Sequence, residues 1–218
     1  MSTSRAILIT RPNHDLINTY FFYWSELVIK VAEKHKIQVF DLKGDKANNE
    51  IFTSYMKKHE PMLVFLNGHG NDNMIAGQNN DILIRANDNE TLLANKIVYA
   101  RSCDAGSHIG QLCILNKTLS FIGYKRKYAL VFDILKETKP LHDNVARLFL
   151  EPSNLVPISL LKGNTVEKAY QKSQNAMLRN FYYMLSTRAS QLERDAAPYL
   201  WANRKFQVVL GDATATFK

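Results

Sequence analysis

The chain has 218 residues, of which 46% are hydrophobic and 22% are charged, and its formal net charge is +8. This composition is that of a globular protein, and the length suits one large domain or two small ones. No run of about 18 apolar residues is present, so we expect no transmembrane helix. The chain has two cysteines, too few for a disulfide framework, and no His or Cys cluster has the spacing of zinc ligands.

The amino terminus predicts a cytoplasmic protein. Residues 1–5 lead directly into a strand-like apolar run, residues 6–10, without the longer apolar segment and cleavage region of a signal peptide. Much of the positive charge lies between residues 117 and 147, where it can attract nucleic acid or an acidic partner or form an ordinary solvated face. No nucleic-acid-binding motif accompanies the charge, so we favour the solvated face and expect neither nucleic acid nor a membrane as a partner.

Apolar periodicity predicts alternating strands and helices. Alternation of this kind implies an α/β fold with a mostly parallel sheet of about six strands and helices on both faces. No repeat, linker or domain boundary is visible, so we expect residues 1–218 to form a single domain. The predicted strands cover residues 6–10, 37–42, 62–66, 96–102, 119–123 and 206–210, with a hairpin over 74–84; the predicted helices cover 15–35, 47–59, 88–95, 105–116, 141–150 and, after a capping box at 164–167, a long helix continuing toward 192.

Two of the predicted strands run into a side chain that can do chemistry. The strand at 62–66 is followed by a glycine-rich loop that contains His69 and Gly70, and the strand at 96–102 is followed by Cys103. In a parallel sheet the carboxyl ends of neighbouring strands lie about 5 Å apart at one edge, where binding sites form. If these two strands are neighbours, His69 and Cys103 meet there. A cysteine nucleophile and a histidine base are the two side chains that thiolate attack on a carbonyl requires.

Each residue of this pair has a chemical role and an ordinary structural alternative. Cys103 attacks as a thiolate, and we expect both the helix that follows it and His69 to lower the pKa of its thiol. His69 then protonates the leaving amine, and the backbone amides of Gly70 and Cys103 bind the oxyanion. A lone cysteine after a strand is usually a buried small hydrophobe, and a lone histidine in such a loop is usually a turn residue, but the combination favours function. Cys113, in the middle of a predicted helix, is interpreted as structural.

These stretches resemble the caspase-like (clan CD) cysteine peptidases, most closely the gingipain-like, CHAT-domain and separase branches. The resemblance rests on residues 63–70, an apolar strand ending in His-Gly, and residues 97–106, an apolar strand ending in a small residue and cysteine. Later stretches at 120–124, 163–169 and 209–212 are similar to later segments of those domains, so the resemblance covers most of the chain. It implies a caspase–hemoglobinase-like three-layer sandwich. It also implies endopeptidase activity with Cys103 as nucleophile, His69 as general acid/base, and the amides of Gly70 and Cys103 as the oxyanion hole.

Peptidases of this group generally select the residue before the scissile bond, P1, through an S1 pocket. Asp143 lies roughly where the separase-like branch carries its pocket acid, and Asp104 and Asp72 are competing candidates. An acidic pocket selects Arg or Lys, which is our expectation. Asp143 is equally compatible with the N-cap of the helix that follows it. The basic residues 125–127 offer a basic pocket for Asp instead, although we favour a solvated strand end.

The partners that follow from this resemblance are a protein or peptide substrate and a regulatory partner. We expect no cofactor and no metal; some relatives use calcium, for which residues 71–87 are only a weak candidate. We expect no long cleavable linker and no prodomain, so regulation would come from a partner protein or a ligand, as in an effector of a bacterial signalling or defence system. The alternative is a catalytically inactive caspase-like domain that acts as a protein-interaction module. A flavodoxin-like small-molecule binder is disfavoured, because no glycine follows the first strand at residues 10–13.

Overall fold

The computed structural model describes residues 5–218, which contain eight strands and six α-helices. Within this range no helix combines the length and the apolar composition that a membrane span requires. The strands are β1 (Ala6–Arg11), β2 (Gln38–Lys43), β3 (Leu63–Asn67), β4 (Met74–Ala76), β5 (Ile82–Arg85), β6 (Ile97–Arg101), β7 (Ser120–Tyr124) and β8 (Gln207–Gly211), and the helices are α1 (Leu16–Lys34), α2 (Asn49–His59), α3 (His108–Leu115), α4 (Asn144–Leu161), α5 (Val166–Met184) and α6 (Gln191–Phe206).

Six strands form the central sheet in the order β2-β1-β3-β6-β7-β8. The first five are parallel, and β8 is antiparallel to β7 at one edge. The prediction of an α/β fold with a mostly parallel six-stranded sheet is therefore confirmed. Strands β4 and β5 pair only with each other, as the predicted hairpin. Because β3 and β6 are neighbours in the middle of the sheet, the loops that follow them leave from the same edge.

The sheet is buried on both faces. Alternate residues of a strand point to opposite sides, and in β1 Ile7 and Ile9 pack into a core shared with α1, α4 and α5. Ala6 and Leu8 pack into a second core with α2 and α3. All four side chains have no exposed surface, and α6 packs against α4 and α5 in a third cluster. This gives helix, sheet and helix layers, with near-continuous apolar runs in the central strands, as expected for a parallel sheet covered on both faces.

The long helix predicted from residue 164 toward 192 is wrong, because the structure divides this region between α5 and α6. Helix α5 ends at Met184, and α6 begins after Ser190. Ser190 and Glu193 form a capping box there, with each side chain accepting the backbone N–H of the other. The cap of α5 also differs from the prediction, since the side chain of Thr165 accepts the amide of Lys168. The apolar residues of α5 and α6 both recur at helical spacing, so apolar periodicity alone does not show that one helix ends and another begins.

Helix α4 is longer than the segment predicted at 141–150, because it continues to Leu161 through Pro152 and Pro157. Proline inside a helix removes a backbone donor and favours a break. Here the helix is retained by packing, since Phe149, Val156 and many of its other residues are buried. The remaining differences are small: residues 88–95 contain only a 3₁₀ turn, Glu90–Leu93, and α3 begins at His108 rather than at residue 105.

Candidate active site

A buried polar chain joins the ends of three adjacent strands, β1, β3 and β6. The side-chain amide of Asn67 donates to the Thr10 carbonyl at 2.7 Å, and the guanidinium Nε of Arg101 donates to Asn67 Oδ1 at 2.8 Å. All three side chains have no exposed surface. Asn67 is also the register partner of Arg101. The loops that carry His69 and Cys103 therefore start at the same level, and each reactive residue is the second after its strand.

Arg101 is a buried cation whose hydrogen-bond acceptors are all neutral. Its remaining N–H groups donate to Asn154 Oδ1 at 3.1 Å, to Ser25 Oγ at 2.8 Å and to a backbone carbonyl of α1 at 3.4 Å. The guanidinium carbon lies 4.6 Å and 5.1 Å from the ring centroids of Phe21 and Phe65, within cation–π range. Burial lowers the pKa of Arg101. The arginine fork thus ties α1 and α4 to the strand ends beneath the two loops.

Two glycines allow the His69 loop to close against its neighbours. Gly68 has φ of +148°, and an added Cβ would lie 2.0 Å from the Ala76 carbonyl oxygen, so only glycine fits. At Gly70 an added Cβ would lie 2.2 Å from Ser102 Oγ and 3.3 Å from the Cys103 carbonyl oxygen. The loops after β3 and β6 therefore lie against each other at Gly70.

His69 is oriented by Asp15, a residue that the sequence analysis placed only at the start of a helix. The Nε2 atom of His69 lies 2.6 Å from Asp15 Oδ2. Asp15 is the N-cap of α1 and also accepts the backbone amide and the side-chain amide of Asn18, at 2.9 Å and 2.8 Å. The carboxylate accepts from Nε2, which leaves Nδ1 as the ring nitrogen that can take a proton. The two residues are 54 positions apart in the sequence, and no local pattern indicates this contact.

The charge state of Asp15 follows from the same contacts. Burial raises the pKa of Asp15, but the hydrogen bonds from Asn18 and from His69 outweigh burial, so this pKa lies below its ordinary value. The pair is open to solvent, since the side chains of Asp15 and His69 are 34% and 44% exposed. His69 is therefore oriented by an ionised carboxylate at a position that a substrate can reach.

Cys103 sits in a turn held against the end of β7. The next residue, Asp104, has a left-handed backbone with φ of +56°, a conformation that Asp tolerates better than most residues. The Asp104 amide donates to the Arg126 carbonyl at 3.2 Å, and the Gly106 amide donates to the Tyr124 carbonyl at 2.9 Å. These bonds fix the turn and with it the direction of the Cys103 side chain.

The expectation that the following helix lowers the pKa of the Cys103 thiol is wrong. Helix α3 begins only at His108, so its N-terminus is not adjacent to the sulfur. Burial instead raises the pKa of this thiol. The Sγ–H group faces the Tyr128 carbonyl at 4.0 Å, a weak contact. The thiol is thus protonated at neutral pH and needs a base to become a nucleophile.

Two backbone donors in the facing loops after β3 and β6 remain free. Within residues 5–218 neither the Gly70 amide nor the Cys103 amide donates a hydrogen bond to another protein group. Gly70 lies opposite Ile75 in an isolated antiparallel bridge. The hydrogen bonds of this bridge are made by neighbouring residues: the Ala76 amide donates to the His69 carbonyl, and the Asn71 amide donates to the Met74 carbonyl. An oxyanion site requires unpaired backbone donors of this kind.

Of the three acidic S1 candidates, Asp104 alone shares a cleft with Cys103. The cleft has a volume of about 1050 Å³, with Arg126 and Lys127 on its exposed side. Asp72 lies in the exposed loop after His69, and its carbonyl accepts the Ile109 amide at 2.8 Å. The apolar residues that line the cleft include Ile17, Tyr128, Leu130, Val131, Tyr199 and Phe206.

Asp143 is the N-cap of α4, which confirms the structural alternative raised for it. Its carboxylate accepts the Ala146 amide at 2.9 Å, the Tyr20 hydroxyl at 2.7 Å and the Asp133 amide at 2.8 Å. Asp143 is 1% exposed. Its S1 role stays a prediction, and in this conformation all three donors to the carboxylate come from the protein itself. Burial and the bond to Asp143 raise the pKa of Tyr20 well above its ordinary value.

Two further expectations concern Cys113 and metal ligands. Cys113 is fully buried in α3, and burial raises the pKa of its thiol to about 12, which agrees with a structural role. The weak calcium candidate, residues 71–87, folds as the β4–β5 hairpin with its flanking turns. The structure instead brings His14, Asp15 and His69 together, with one donor atom of each within 4.8 Å of the others.

No protein-family model matches the chain, and no curated protein matches it in sequence. The loops that carry His69 and Cys103 are therefore the features of this chain that indicate a function.

Proposed function

We propose that the chain is an intracellular cysteine endopeptidase of the caspase-like type, with Cys103 as nucleophile and His69 as general acid/base. The observation that carries the proposal is the 2.6 Å contact between His69 Nε2 and Asp15 Oδ2, which orients a histidine on the strand end next to that of Cys103. A catalytic triad consists of a nucleophile, a base and a carboxylate that orients the base. Cys103, His69 and Asp15 would have these three roles. The caspase–hemoglobinase assignment of the three-layer fold belongs to the same proposal.

The proposed reaction begins with a neutral thiol. His69 Nδ1 takes the Cys103 proton as the sulfur attacks the peptide carbonyl, and Asp15 stabilises the imidazolium that forms. The carbonyl oxygen becomes an oxyanion that accepts from the amides of Gly70 and Cys103. The imidazolium then gives its proton to the leaving amine, the C–N bond breaks, and an acyl-enzyme remains. Water attacks the acyl-enzyme while His69 takes a water proton, and that proton returns to the sulfur as the carboxylic acid leaves.

The proposed substrate is a polypeptide with Arg or Lys before the scissile bond. Asp104 supports this choice because it follows the nucleophile directly and lines the same cleft. The apolar cleft wall, with Tyr199 and Phe206, suits the side chains of neighbouring substrate residues. Arg126 and Lys127 border the same cleft and support an acidic P1 residue instead, so the identity of P1 discriminates between the two kinds of pocket.

A positional-scanning peptide library tests the reaction and the pocket together. We expect cleavage after Arg or Lys in the wild type, none in Cys103→Ala, and a selective rise of KM for basic P1 residues in Asp104→Asn. Asn tolerates the left-handed backbone of position 104, so this variant removes the charge and keeps the turn. Cleavage after Asp would assign the pocket to Arg126 and Lys127. Cleavage that survives in Cys103→Ala would refute the cysteine mechanism.

The second candidate is a catalytically inactive caspase-like domain that acts as a protein-interaction module. The raised pKa of the Cys103 thiol favours it, because a thiol that is not ionised is inert without a working base. This candidate predicts that the alkylation rate of Cys103 is the same in the wild type and in His69→Ala. The peptidase predicts a slower rate in the variant. In either case we propose a regulatory partner protein or ligand, since the cleft is bordered by the exposed residues Arg126 and Lys127 and by part of a long segment that has only short 3₁₀ turns before α4.

A further inference from the structure

His14 lies beside the Asp15–His69 pair but takes no part in the proposed reaction. Its side chain is only 13% exposed, and its Nε2 lies 3.3 Å from Asp15 Oδ2. The rings of His14 and His69 are edge to face, with centroids 6.0 Å apart. Three ligand-type side chains from the start of α1 and the loop after β3 therefore meet at one carboxylate oxygen.

The imidazole of His14 lacks hydrogen-bond partners. Both ring nitrogens are buried, and neither makes a hydrogen bond within the described part of the chain, even though Nε2 is near Asp15. A buried polar ring without partners is unfavourable. A ligand that binds a lone pair of this ring would offset that cost, and such a ligand would also contact Asp15 and His69.

We propose that His14, Asp15 and His69 form a binding site for a divalent transition metal of the zinc class. One donor atom of each residue already lies within 4.8 Å of the other two, and ligands bound at about 2.1 Å to one tetrahedral ion lie roughly 3.5 Å apart. Small side-chain movements therefore suffice to close the site. Two imidazole nitrogens and one carboxylate oxygen suit zinc, whereas calcium and magnesium prefer oxygen alone. Three protein ligands leave a fourth position for water or an incoming group.

Metal binding at this site would switch off the base in the proposed reaction. The ion would occupy His69 Nε2 and the Asp15 carboxylate, and the ring proton would then sit on Nδ1, the nitrogen that must accept the Cys103 proton. This consequence rests on the proposed function, whereas metal binding itself does not. The partial exposure of Asp15 and His69, 34% and 44%, gives an ion access from solvent.

Zinc titration of the chelator-treated full chain by isothermal calorimetry tests the site. We expect one ion per chain in the wild type. The affinity should fall by more than about 100-fold in His14→Ala and in His14→Gln, because even the loss of an outer-shell partner costs about 10- to 100-fold. The matched control is His35→Ala, which removes an exposed histidine at the opposite end of α1 and should bind like the wild type. Wild-type affinity in both folded His14 variants would overturn the proposal.

Cobalt substitution separates this site from a thiolate site. The Co²⁺ form should show visible d–d absorption without a thiolate charge-transfer band, and Cys103→Ser should bind Co²⁺ as the wild type does. A thiolate band that disappears in Cys103→Ser would assign the ion to the cysteine and overturn the site. For the regulatory consequence, zinc should slow Cys103 alkylation in the wild type and have no effect in His14→Ala. If Cys103 alkylation does not depend on His69 at all, the proposed function fails, and the titrations still decide the metal site.

Discussion

Asp15→Asn is the sharpest perturbation of the proposed catalytic base. Asparagine is as good an N-cap as aspartate, so the cap on the Asn18 amide is retained and α1 should keep its start. The variant removes the negative charge 2.6 Å from His69 Nε2, and the NH2 group that replaces Oδ2 cannot accept from His69 or from the Asn18 side-chain amide. Without the carboxylate, His69 loses its preference for the tautomer that presents Nδ1 as the acceptor, and the imidazolium loses its counter-charge.

The expected loss follows from the contact and its exposure. A hydrogen bond to a charged group contributes about 1.5–3 kcal/mol, and each 1.36 kcal/mol of barrier corresponds to a factor of about ten in rate. The pair is one third to nearly one half exposed, so solvent screening argues against the far larger loss of a buried triad. We therefore expect Asp15→Asn to slow Cys103 alkylation and peptide hydrolysis by about 10- to 100-fold.

The assay is the rate of Cys103 alkylation by iodoacetamide between pH 6 and pH 9, followed by intact mass and peptide mapping, with melting temperature as the folding check. The control is Asn18→Ala, which removes a second donor to Asp15 but keeps its charge; it should change the rate by less than Asp15→Asn does. Equal rates in the wild type and in a folded Asp15→Asn variant would refute the role of Asp15 as the residue that positions His69.

Four further predictions concern stability. Gly70→Ala places a methyl group against Ser102 Oγ and should lower the free energy of unfolding by about 1–3 kcal/mol, and Ser102→Ala should recover part of that loss in a double-mutant cycle by urea titration. Arg101→Lys cannot reproduce the fork of hydrogen bonds and should cost about 3 kcal/mol, with wild-type stability as the contradicting result. Asp143→Ala should cost more stability than Asp143→Asn, which keeps the cap; if both variants keep full stability while losing cleavage after basic residues, Asp143 belongs to the S1 pocket instead. The pKa of the Cys113 thiol is about 12 in the folded protein, above its value of about 8.5 in the unfolded chain. The stability that the protonated thiol contributes is therefore present below pH 8.5 and declines as pH rises toward 12. Between pH 7 and pH 10 the free energy of unfolding of the wild type should fall by about 2 kcal/mol more than that of Cys113→Ala.

The sequence predicted the strands that carry the site, because these strands are continuous apolar runs with glycine or small residues at their ends. The observed β3 and β6 begin and end within one or two residues of the predictions. Their adjacency, which periodicity cannot show, follows from the sheet order. The same reasoning placed Cys113 correctly in a helix interior and raised the N-cap role of Asp143, because local patterns decide both.

What the sequence could not predict are contacts between distant segments. Asp15 was predicted only as the first residue of a helix, and only the return of the chain at β3 brings His69 to it. The raised pKa of the Cys103 thiol follows from its burial, and its Sγ faces the Tyr128 carbonyl in the segment after β7. A turn also delays the start of α3 to His108. The local sequence gave no signal for the role of Arg101, whose charged side chain is fully buried at the end of β6. Each of these features depends on tertiary packing, which local periodicity does not predict.

The dependence of Cys103 reactivity on His69 tests the central claim most directly. Faster labelling of Cys103 than of Cys113 proves little, because Cys113 is fully buried with a thiol pKa of about 12. The informative comparison is the Cys103 alkylation rate near neutral pH in the wild type, in His69→Ala and in the control His35→Ala, with each protein shown to be folded. We predict a rate that falls by about 100-fold or more in His69→Ala, the scale of a general base, and is unchanged in His35→Ala. Equal rates in all three proteins would contradict it.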